Sequence, residues 1–186
     1  MKVLDKPKQG CLLVSEPLLG DPNFEKSVIY LVAYSNEGAV GFIINHESDL
    51  MISDFFDNLD NVDMFILNGG PVETQNLYFV HKRPDLVESN YQITDNFYWG
   101  GDTEKLFEKI RNREITDQEV VFFRGYSGWA PGQLENEIKH KSWIVVEDSV
   151  DELLSIPPEE RWPHMLRKIG GEYLLWINTP SDPVLN

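Results

Sequence analysis

The chain has 186 residues, of which 41% are hydrophobic and 25% charged, a length and composition typical of one folded domain. Its 16 Lys and Arg against 31 Asp and Glu give a formal net charge of −15. A chain so acidic disfavours binding to nucleic-acid phosphates or to anionic lipid. The single cysteine, Cys11, excludes an internal disulfide framework and a zinc site built from several cysteines.

Neither a membrane span nor a secretory signal is visible in the sequence. The longest wholly apolar run, residues 28–34, is far too short to cross a bilayer. The first residues, Met1-Lys2-Val3-Leu4-Asp5-Lys6, do not contain the apolar region of a signal peptide. We therefore expect a cytoplasmic protein without membrane association.

The first third of the chain has the composition and turn residues of a sheet. Residues 10–16 form a short apolar stretch, and residues 27–34 are rich in β-branched and aromatic residues, which predicts two strands. After a turn at residues 35–38, residues 39–45 return as a further strand, and this pair predicts an antiparallel hairpin. Gly41 within the second strand indicates a bulge or a close backbone approach.

The middle of the chain alternates short strands and helices. Residues 53–59 predict a helix of about two turns. Its apolar side consists of Phe55, Phe56 and Leu59. Strands are predicted at residues 63–67, 77–81 and 91–99. A longer helix is predicted from Asp102 to about Arg113. The apolar face of that helix consists of Leu106, Phe107 and Ile110.

A buried strand at residues 119–124 leads into the most unusual passage of the sequence. Residues 125–137 read Gly-Tyr-Ser-Gly-Trp-Ala-Pro-Gly-Gln-Leu-Glu-Asn-Glu. We interpret the start of this passage as a strand-to-helix turn, because glycines allow positive φ. Pro131 then occupies the first position of a helix that runs to Lys141.

The C-terminal part predicts one strand followed by two helices. The strand covers residues 142–147, and the helices lie within residues 149–171, separated by Pro157-Pro158. We expect Pro163 in the first turn of the second helix and Gly170-Gly171 at its end. The strands and helices are interleaved without βαβ repetition, which predicts an α+β fold with a mainly antiparallel sheet.

Two acidic stretches, residues 47–63 and 147–160, each carry six carboxylates and no Lys or Arg. We interpret both as solvated faces of helices and loops. The alternative is contact with a basic partner protein or with a divalent cation. Neither stretch has the Asp/Asn spacing and bidentate Glu of an EF-hand loop, which argues against calcium.

Residues 125–129 partly match the G-x-S-x-G nucleophile elbow of hydrolases. The match fails at its last position, where Trp129 replaces the glycine that the sharp turn requires. We therefore interpret Trp129 as a packing anchor. Glu135 and Glu137 are two residues apart on the predicted helix, so they point to different faces and do not form a carboxylate pair.

The remaining candidate residues favour structural roles. The four histidines, at positions 46, 81, 140 and 164, do not have the local spacing of a metal site. We interpret His81 as a structural hydrogen-bonding residue, with a general base as the alternative. Residues 68–72 are interpreted as a tight turn, with an anion cradle as the alternative. Cys11 is expected to be a small buried hydrophobic residue. We expect no metal and no cofactor.

Taken in order, these passages resemble the AlgH/YqgE family of bacterial proteins. The first matching blocks are Gly10-x-Leu12-Leu13-Val14-x-x-Pro17, Asp21-Pro22-x-Phe24-x-x-Ser27-Val28-Ile29-Tyr30-Leu31 and Gly38-Ala39-Val40-Gly41-Phe42-Ile43-Ile44-Asn45. The later ones are Gly69-Gly70-Pro71-Val72, His81, Gly125-Tyr126-Ser127-Gly128-Trp129-Ala130-Pro131-Gly132-Gln133-Leu134-Glu135-x-Glu137-Ile138 and Ser142-Trp143. The resemblance extends from about residue 8 to residue 170.

The resemblance implies one compact α+β domain over residues 1–186, with a core at about 8–170 and helices around a small, barrel-like, bifurcated sheet. It implies a cytoplasmic protein with no established catalytic activity or cofactor, and some members are labelled transcriptional regulators. Ser127 stands where the family usually has alanine, which argues against a nucleophile. Residues 179–186 lack the small Gly-His-Ala type of tail found in many members.

Three functional hypotheses follow. The first is a non-enzymatic binding or regulatory protein that acts through a protein partner. Its contact surface is expected at loops presented by strand ends, namely Asn45, Gly69, Gly70, Pro71, His81, Gly125, Gly128, Trp129, Gln133 and Glu137. The second is a hydrolase that uses His81 with Glu135 or Glu137 and turn amides as an oxyanion site. The third is direct DNA binding, which the net charge of −15 disfavours.

Overall fold

A computed structural model describes residues 1–17, 19–56, 59, 62–89 and 91–179. The strands are β1 (Lys2–Leu4), β2 (Leu12–Ser15), β3 (Val28–Ser35), β4 (Gly38–Ile43), β5 (Glu47–Met51), β6 (Phe65–Asn68), β7 (Val72–His81), β8 (Tyr98–Trp99), β9 (Val120–Trp129) and β10 (Trp143–Glu147). The α-helices are α1 (Thr103–Arg111), α2 (Gln133–Lys139), α3 (Val150–Leu154) and α4 (Pro158–Ile169), and 3-10 helices lie at Pro22–Phe24, Ile52–Asp54 and Gly171–Asn178.

The strands form one mainly antiparallel sheet in the order β1-β10-β2-β3-β4-β9-β6-β5, and β7 pairs with β8 and β9. Among the strand pairs, β6 and β9 run parallel and the others run antiparallel. The α+β class and the bifurcated sheet are therefore confirmed. Over the described residues the sheet stays open and does not close into a barrel.

Strand β9 is where the sheet divides. Along one edge it pairs first with β6, from Phe122 to Arg124, and then with β4, from Ser127 to Trp129. Its other edge pairs with β7. The two strands on the shared edge diverge at Gly69, whose N–H donates to the Arg124 carbonyl at 2.9 Å. The same glycine accepts a hydrogen bond at 2.9 Å from the backbone of β4, so it joins the two branches.

Glycines allow the close backbone contact at this division. Gly70 has a φ of +150°, and a Cβ there would lie 2.3 Å from the carbonyl group of Tyr126. Gly125 has a φ of +68°, and its Cβ would lie 2.5 Å from the Gly70 oxygen and 2.8 Å from the Val72 oxygen. Side chains at these positions would therefore collide with backbone, which is the least adaptable neighbour. We call the contact between Gly69, Gly70 and Gly125 the fork.

The predicted hairpin is confirmed as the antiparallel pair β3 and β4. Its register shifts between Leu31 and Ala33, across from Gly41. A Cβ at Gly41 would lie 2.5 Å from the Ile29 side chain and 3.0 Å from the Tyr30 oxygen. The glycine therefore marks both a bulge and a close approach, as the sequence indicated.

The passage at residues 125–129 corrects the predicted strand-to-helix turn. These residues continue β9, since Tyr126 pairs with Val72 and residues 127–129 pair with β4. Helix α2 then covers Gln133–Lys139, two residues inside each predicted bound. Gly125 is thus required by close contact with the Gly70 and Val72 carbonyls rather than by a local change of direction.

Two other predicted segments differ from the structure, because local propensity is a weak guide where tertiary context decides. At the start of the helix predicted for residues 53–59, the structure has a 3-10 helix at Ile52–Asp54, which begins directly after β5 ends at Met51. Phe55 is exposed, whereas Leu59 is buried, and Asp57 and Asn58 lie outside the described residues. Of the strand predicted at residues 91–99, only Tyr98–Trp99 pairs as β8.

The helices agree more closely with the sequence pattern. Helix α1 buries its predicted apolar face of Leu106, Phe107 and Ile110. Helix α4 begins at Pro158 and ends before Gly170, so Pro163 lies inside the helix rather than in its first turn. Proline there cannot donate to the carbonyl of the exposed Glu159, a group that water can solvate. The tail from Pro180 onward lies outside the described residues.

The core forms three clusters around the sheet. The first lies between the sheet and helices α3 and α4, the second against α1, and the third against α2 around Trp129 and Trp143. Cys11 is buried in the third cluster, and burial raises the pKa of its thiol to about 11, so it acts as a small hydrophobic residue. No helix among the described residues is both long and apolar enough to cross a membrane.

The fork predicts different costs for alanine substitutions at two glycines that have similar positive φ angles. Gly132 has a φ of +76° and nothing within 4 Å of a Cβ, so Gly132→Ala should cost only about 1–2 kcal/mol of left-handed strain. Gly125→Ala adds the collision with the Gly70 and Val72 carbonyls and should cost about 1–3 kcal/mol more. Equilibrium urea unfolding measures both. Equal destabilisation of the two variants would contradict the fork.

Candidate functional site

His81, which the sequence indicates as a structural hydrogen-bonding residue with a general base as the alternative, is fully buried at the end of β7. Its Nε2 lies 3.1 Å from the Gly100 carbonyl, and its Nδ1 accepts the backbone N–H of Arg83 at 3.1 Å. A carbonyl can only accept and an amide can only donate, so these contacts fit a neutral ring with its proton on Nε2. Burial lowers the pKa of His81, which also favours the neutral form. Both ring nitrogens are therefore hydrogen-bonded to the backbone.

Glu137 lies at the centre of a hydrogen-bonded group that we call the indole hub. Its Oε2 accepts the indole N–H of Trp129 at 2.8 Å and that of Trp143 at 2.7 Å. Its Oε1 accepts the side-chain amide of Gln133 at 2.8 Å, and the Gln133 oxygen accepts the Ala130 N–H at 3.0 Å. The carboxylate thus satisfies two buried indoles and ties helix α2 to β9 and β10.

Aromatic packing completes the indole hub. The rings of Trp129 and Trp143 meet edge to face, with their centroids 6.0 Å apart. Phe24 stacks on Trp129 at 6.4 Å and meets the edge of Trp143 at 5.6 Å. The side chain of Asp21 accepts the Asn23 N–H at 2.9 Å and shapes the turn that carries Phe24. The early Asp-Pro-Asn-Phe motif and the Trp129 segment therefore form one packed unit.

The two glutamates of the hydrolase hypothesis point in different directions, as the sequence predicted. Glu135 accepts a hydrogen bond at 2.5 Å from the hydroxyl of Tyr34, which raises the pKa of that tyrosine to about 12. His81 lies far from both glutamates. It pairs with Val120 at the start of β9, whereas Trp129 ends that strand nine residues later, about 30 Å along an extended chain. The structure does not bring these groups into one site.

Ser127 and the glycine-rich turn belong to the fork. Ser127 is fully buried, and its hydroxyl donates to the Gly69 carbonyl at 3.1 Å. An inaccessible, bonded hydroxyl inside a strand has neither the exposure nor the turn of a nucleophile elbow. Of the predicted surface, Pro71, Gly128 and Gln133 remain exposed around the fork and the hub.

Asn45 holds the loop after β4 against the start of β3. Its Oδ1 accepts the Val28 N–H at 2.6 Å, and its Nδ2 donates to the Lys26 carbonyl at 2.9 Å. Both ends of the amide are therefore used within the chain. The predicted surface residues thus lie in separate places: Asn45 by β3, His81 by β8, and the others at the fork and the hub.

A buried Ser–His contact lies beside Asn45 and was not found from the sequence. The hydroxyl of Ser27 is 3.2 Å from Nε2 of His46, and the same nitrogen is 3.1 Å from the Glu25 carbonyl. That carbonyl requires a proton on Nε2, so this nitrogen cannot take the serine proton. Ser27 is also fully buried. The pair therefore serves packing and hydrogen bonding, and burial lowers the pKa of His46.

A cleft of about 800 Å³ lies between strands β6 and β9 and helices α3 and α4. Its floor and wall include Phe65, Leu67, Val121, Leu154 and Pro158. Its charged lining residues are Glu47, Asp63, Lys82, Asp117, Asp151 and Arg161. We call it the acidic cleft. Phe65 is 64% exposed there, an unusual position for an aromatic side chain in a sheet.

Arg161 is a buried cation on the wall of the acidic cleft. The side chain is 6% exposed, and its guanidinium donates to the carbonyls of Ile44, Leu154 and Ile156. Burial lowers its pKa to about 10, while Glu47 favours the charged form. The arginine thus fixes the loop after β4 to the end of α3. Its role depends on contacts across more than 100 residues of chain, which no local pattern displays.

Two lines of similarity define what kind of protein this α+β domain is. A family model described as AlgH-like, DUF179, matches residues 12–174. UPF0301 proteins of Parabacteroides distasonis and Cytophaga hutchinsonii are 37% and 36% identical to the chain. These alignments cover 97% and 96% of this chain and 92% and 98% of the relatives. The chain therefore belongs to the AlgH-like family, and the resemblance seen in the sequence is confirmed.

Solved structures have the same fold. Protein DIP2367 from Corynebacterium diphtheriae has a TM-score of 0.76 at 20% identity, with 96% of this chain and 95% of that chain covered. The solution structure of AlgH from Pseudomonas aeruginosa has a TM-score of 0.70 at 27% identity, with 97% and 98% covered. The names of the relatives do not state an activity.

The indole hub predicts a large loss of stability when Glu137 is replaced and a small one when Glu135 is replaced. Glu137→Ala leaves two buried indole N–H groups without an acceptor and should cost about 2–5 kcal/mol of unfolding free energy. Glu135→Ala removes an exposed contact with Tyr34 and should cost less than about 1 kcal/mol. Urea unfolding followed by tryptophan fluorescence compares the two variants. Equal, small costs would contradict the structural role of Glu137.

Proposed function

We propose that this protein is a non-enzymatic binding protein of the cytoplasm that regulates through a protein partner. The observation that carries the proposal is the acidic cleft, where Phe65 is exposed on the floor of an 800 Å³ depression. Concave, partly apolar surfaces with a few polar groups are where proteins bind ligands. An exposed aromatic side chain is the kind of residue that anchors a partner.

The bonding of the candidate catalytic groups supports binding over hydrolysis. His81 uses both ring nitrogens on backbone groups, and Glu137 accepts three hydrogen bonds from side chains. General acid–base catalysis needs a group that can reach the substrate and exchange a proton with it. A group whose hydrogen-bonding atoms are already bonded within the chain cannot readily do this.

Regulation through a partner also fits the charge of the molecule. Some members of the family are labelled transcriptional regulators, but a net charge of −15 opposes direct contact with DNA phosphates. An acidic regulator instead acts on a protein that itself binds the nucleic acid. Retention of the purified chain on duplex DNA at low salt would contradict this indirect mode.

Comparative capture tests the proposed surface. Tagged wild type, Phe65→Ser and Leu175→Ser are incubated with native cytosol, and co-purifying proteins are quantified by mass spectrometry. Leu175 is 77% exposed and lies outside the cleft, so its variant removes a comparable apolar side chain elsewhere. We expect the recovered amount of a discrete set of proteins to fall about tenfold or more with Phe65→Ser and to stay unchanged with Leu175→Ser. The same proteins on all three baits would contradict the proposal.

A further inference from the structure

We propose that the acidic cleft binds an extended segment of a partner protein in which an apolar side chain is flanked by Lys or Arg. This inference rests on the proposed function and specifies the chemistry of the partner. Three features of the cleft carry it: the apolar floor, the carboxylates around it, and the fixed guanidinium of Arg161.

The floor offers a place for one apolar side chain. In the parallel pair of β6 and β9, Ile66 lies opposite Phe122, so Phe65 and Val121 are neighbours on the other face of the sheet. Leu67 on that face is covered and belongs to the core cluster beneath α3 and α4. Phe65 lies beyond this cover and is 64% exposed. The cleft is therefore the uncovered end of a core face.

The charges around the floor favour a cation. Asp151 pairs with Lys82. In contrast, no ion pair among the described residues involves Asp63 or Asp117, although both line the cleft, whereas the charge of Glu47 already acts on Arg161. Unpaired carboxylates beside an apolar surface attract Lys and Arg and repel acidic segments.

These carboxylates come from distant parts of the chain. The two acidic stretches found in the sequence, residues 47–63 and 147–160, both contribute to the cleft, and Asp117 comes from the loop before β9. The pairing of β5 with β6, and of β6 with β9, brings the first stretch and this loop together. The charge of the cleft is thus a product of the fold.

Arg161 provides a fixed donor for the backbone of the bound segment. A guanidinium has five N–H groups, and those of Arg161 meet three carbonyl acceptors among the described residues. The remaining N–H groups can donate to a main-chain carbonyl of an extended segment. A carbonyl is neutral, so this contact is compatible with the carboxylates nearby. A guanidinium donor surrounded by carboxylates suits a peptide better than a free anion.

Defined peptides test this chemistry directly. Three fluorescent eight-residue peptides share a length and differ in composition: Lys/Arg around Leu and Phe, Glu around Leu and Phe, and Lys/Arg around Ser and Gly. Binding is measured by fluorescence anisotropy at low and at high salt. We expect the basic-apolar peptide to bind about tenfold more tightly than the other two and to weaken as salt screens the carboxylates.

Charge-matched variants locate the binding. Asp63→Asn/Asp117→Asn removes two carboxylates from the cleft, and Glu104→Gln/Glu108→Gln removes two exposed carboxylates from α1, outside it. Both changes alter the net charge equally. We expect the cleft variant to weaken binding of the basic-apolar peptide about fivefold. The α1 variant should change the affinity for this peptide less than about twofold. Phe65→Ser should weaken binding about tenfold, with Leu175→Ser as its control.

The outcomes separate this inference from the function on which it rests. If the acidic-apolar peptide binds as tightly as the basic-apolar one, or if the two charge variants have equal effects, the inference of a cationic partner is overturned. No binding of any peptide would overturn it as well. Loss of captured proteins from Phe65→Ser would still support the cleft as a binding surface in those cases. Unchanged capture by Phe65→Ser would instead contradict the proposed function itself.

Discussion

Strand β9 can serve two branches of one sheet only because glycine backbones meet where it changes partners. At the fork, a side chain on Gly70 or Gly125 would lie within 2.5 Å of a main-chain carbonyl. The contact lets β6 end and β4 take over the same edge of β9, while β7 stays on the other edge. The buried hydroxyl of Ser127 adds a hydrogen bond to Gly69 at the same point. The positions of both the indole hub and the acidic cleft follow from this division.

The two halves of β9 support different tasks. Beyond the fork, the strand ends at Trp129, where Glu137 joins β9, β10 and helix α2 through buried indoles. Before the fork, β9 and β6 present a sheet face that helices α3 and α4 cover only in part. The uncovered end exposes Phe65 beside carboxylates. The most distinctive sequence motifs thus build the fold, and the candidate binding surface consists of less conspicuous residues.

Local patterns predict much of this fold, and long-range contacts explain the rest. The hairpin of β3 and β4 and the buried face of α1 are visible in the sequence, because periodicity and turn residues act over a few positions. The glycines at residues 125–129 suggest a turn, yet Gly125 serves a contact with Gly70, which lies more than 50 residues earlier. Arg161 likewise depends on the carbonyl of Ile44. The acidic stretches were visible, but their convergence on the cleft depends on the parallel pairing of β6 with β9.

We propose that partners contact the cleft, whereas the glycine- and tryptophan-rich motifs maintain the fold. Site-specific photo-crosslinking in cells tests it most directly. A photoreactive phenylalanine analogue is placed at Phe65 in the cleft, at the exposed Pro71 beside the fork, and at the exposed Leu175 as a control. We expect a discrete covalent adduct from position 65 alone. An adduct from position 71 without one from position 65 would contradict it.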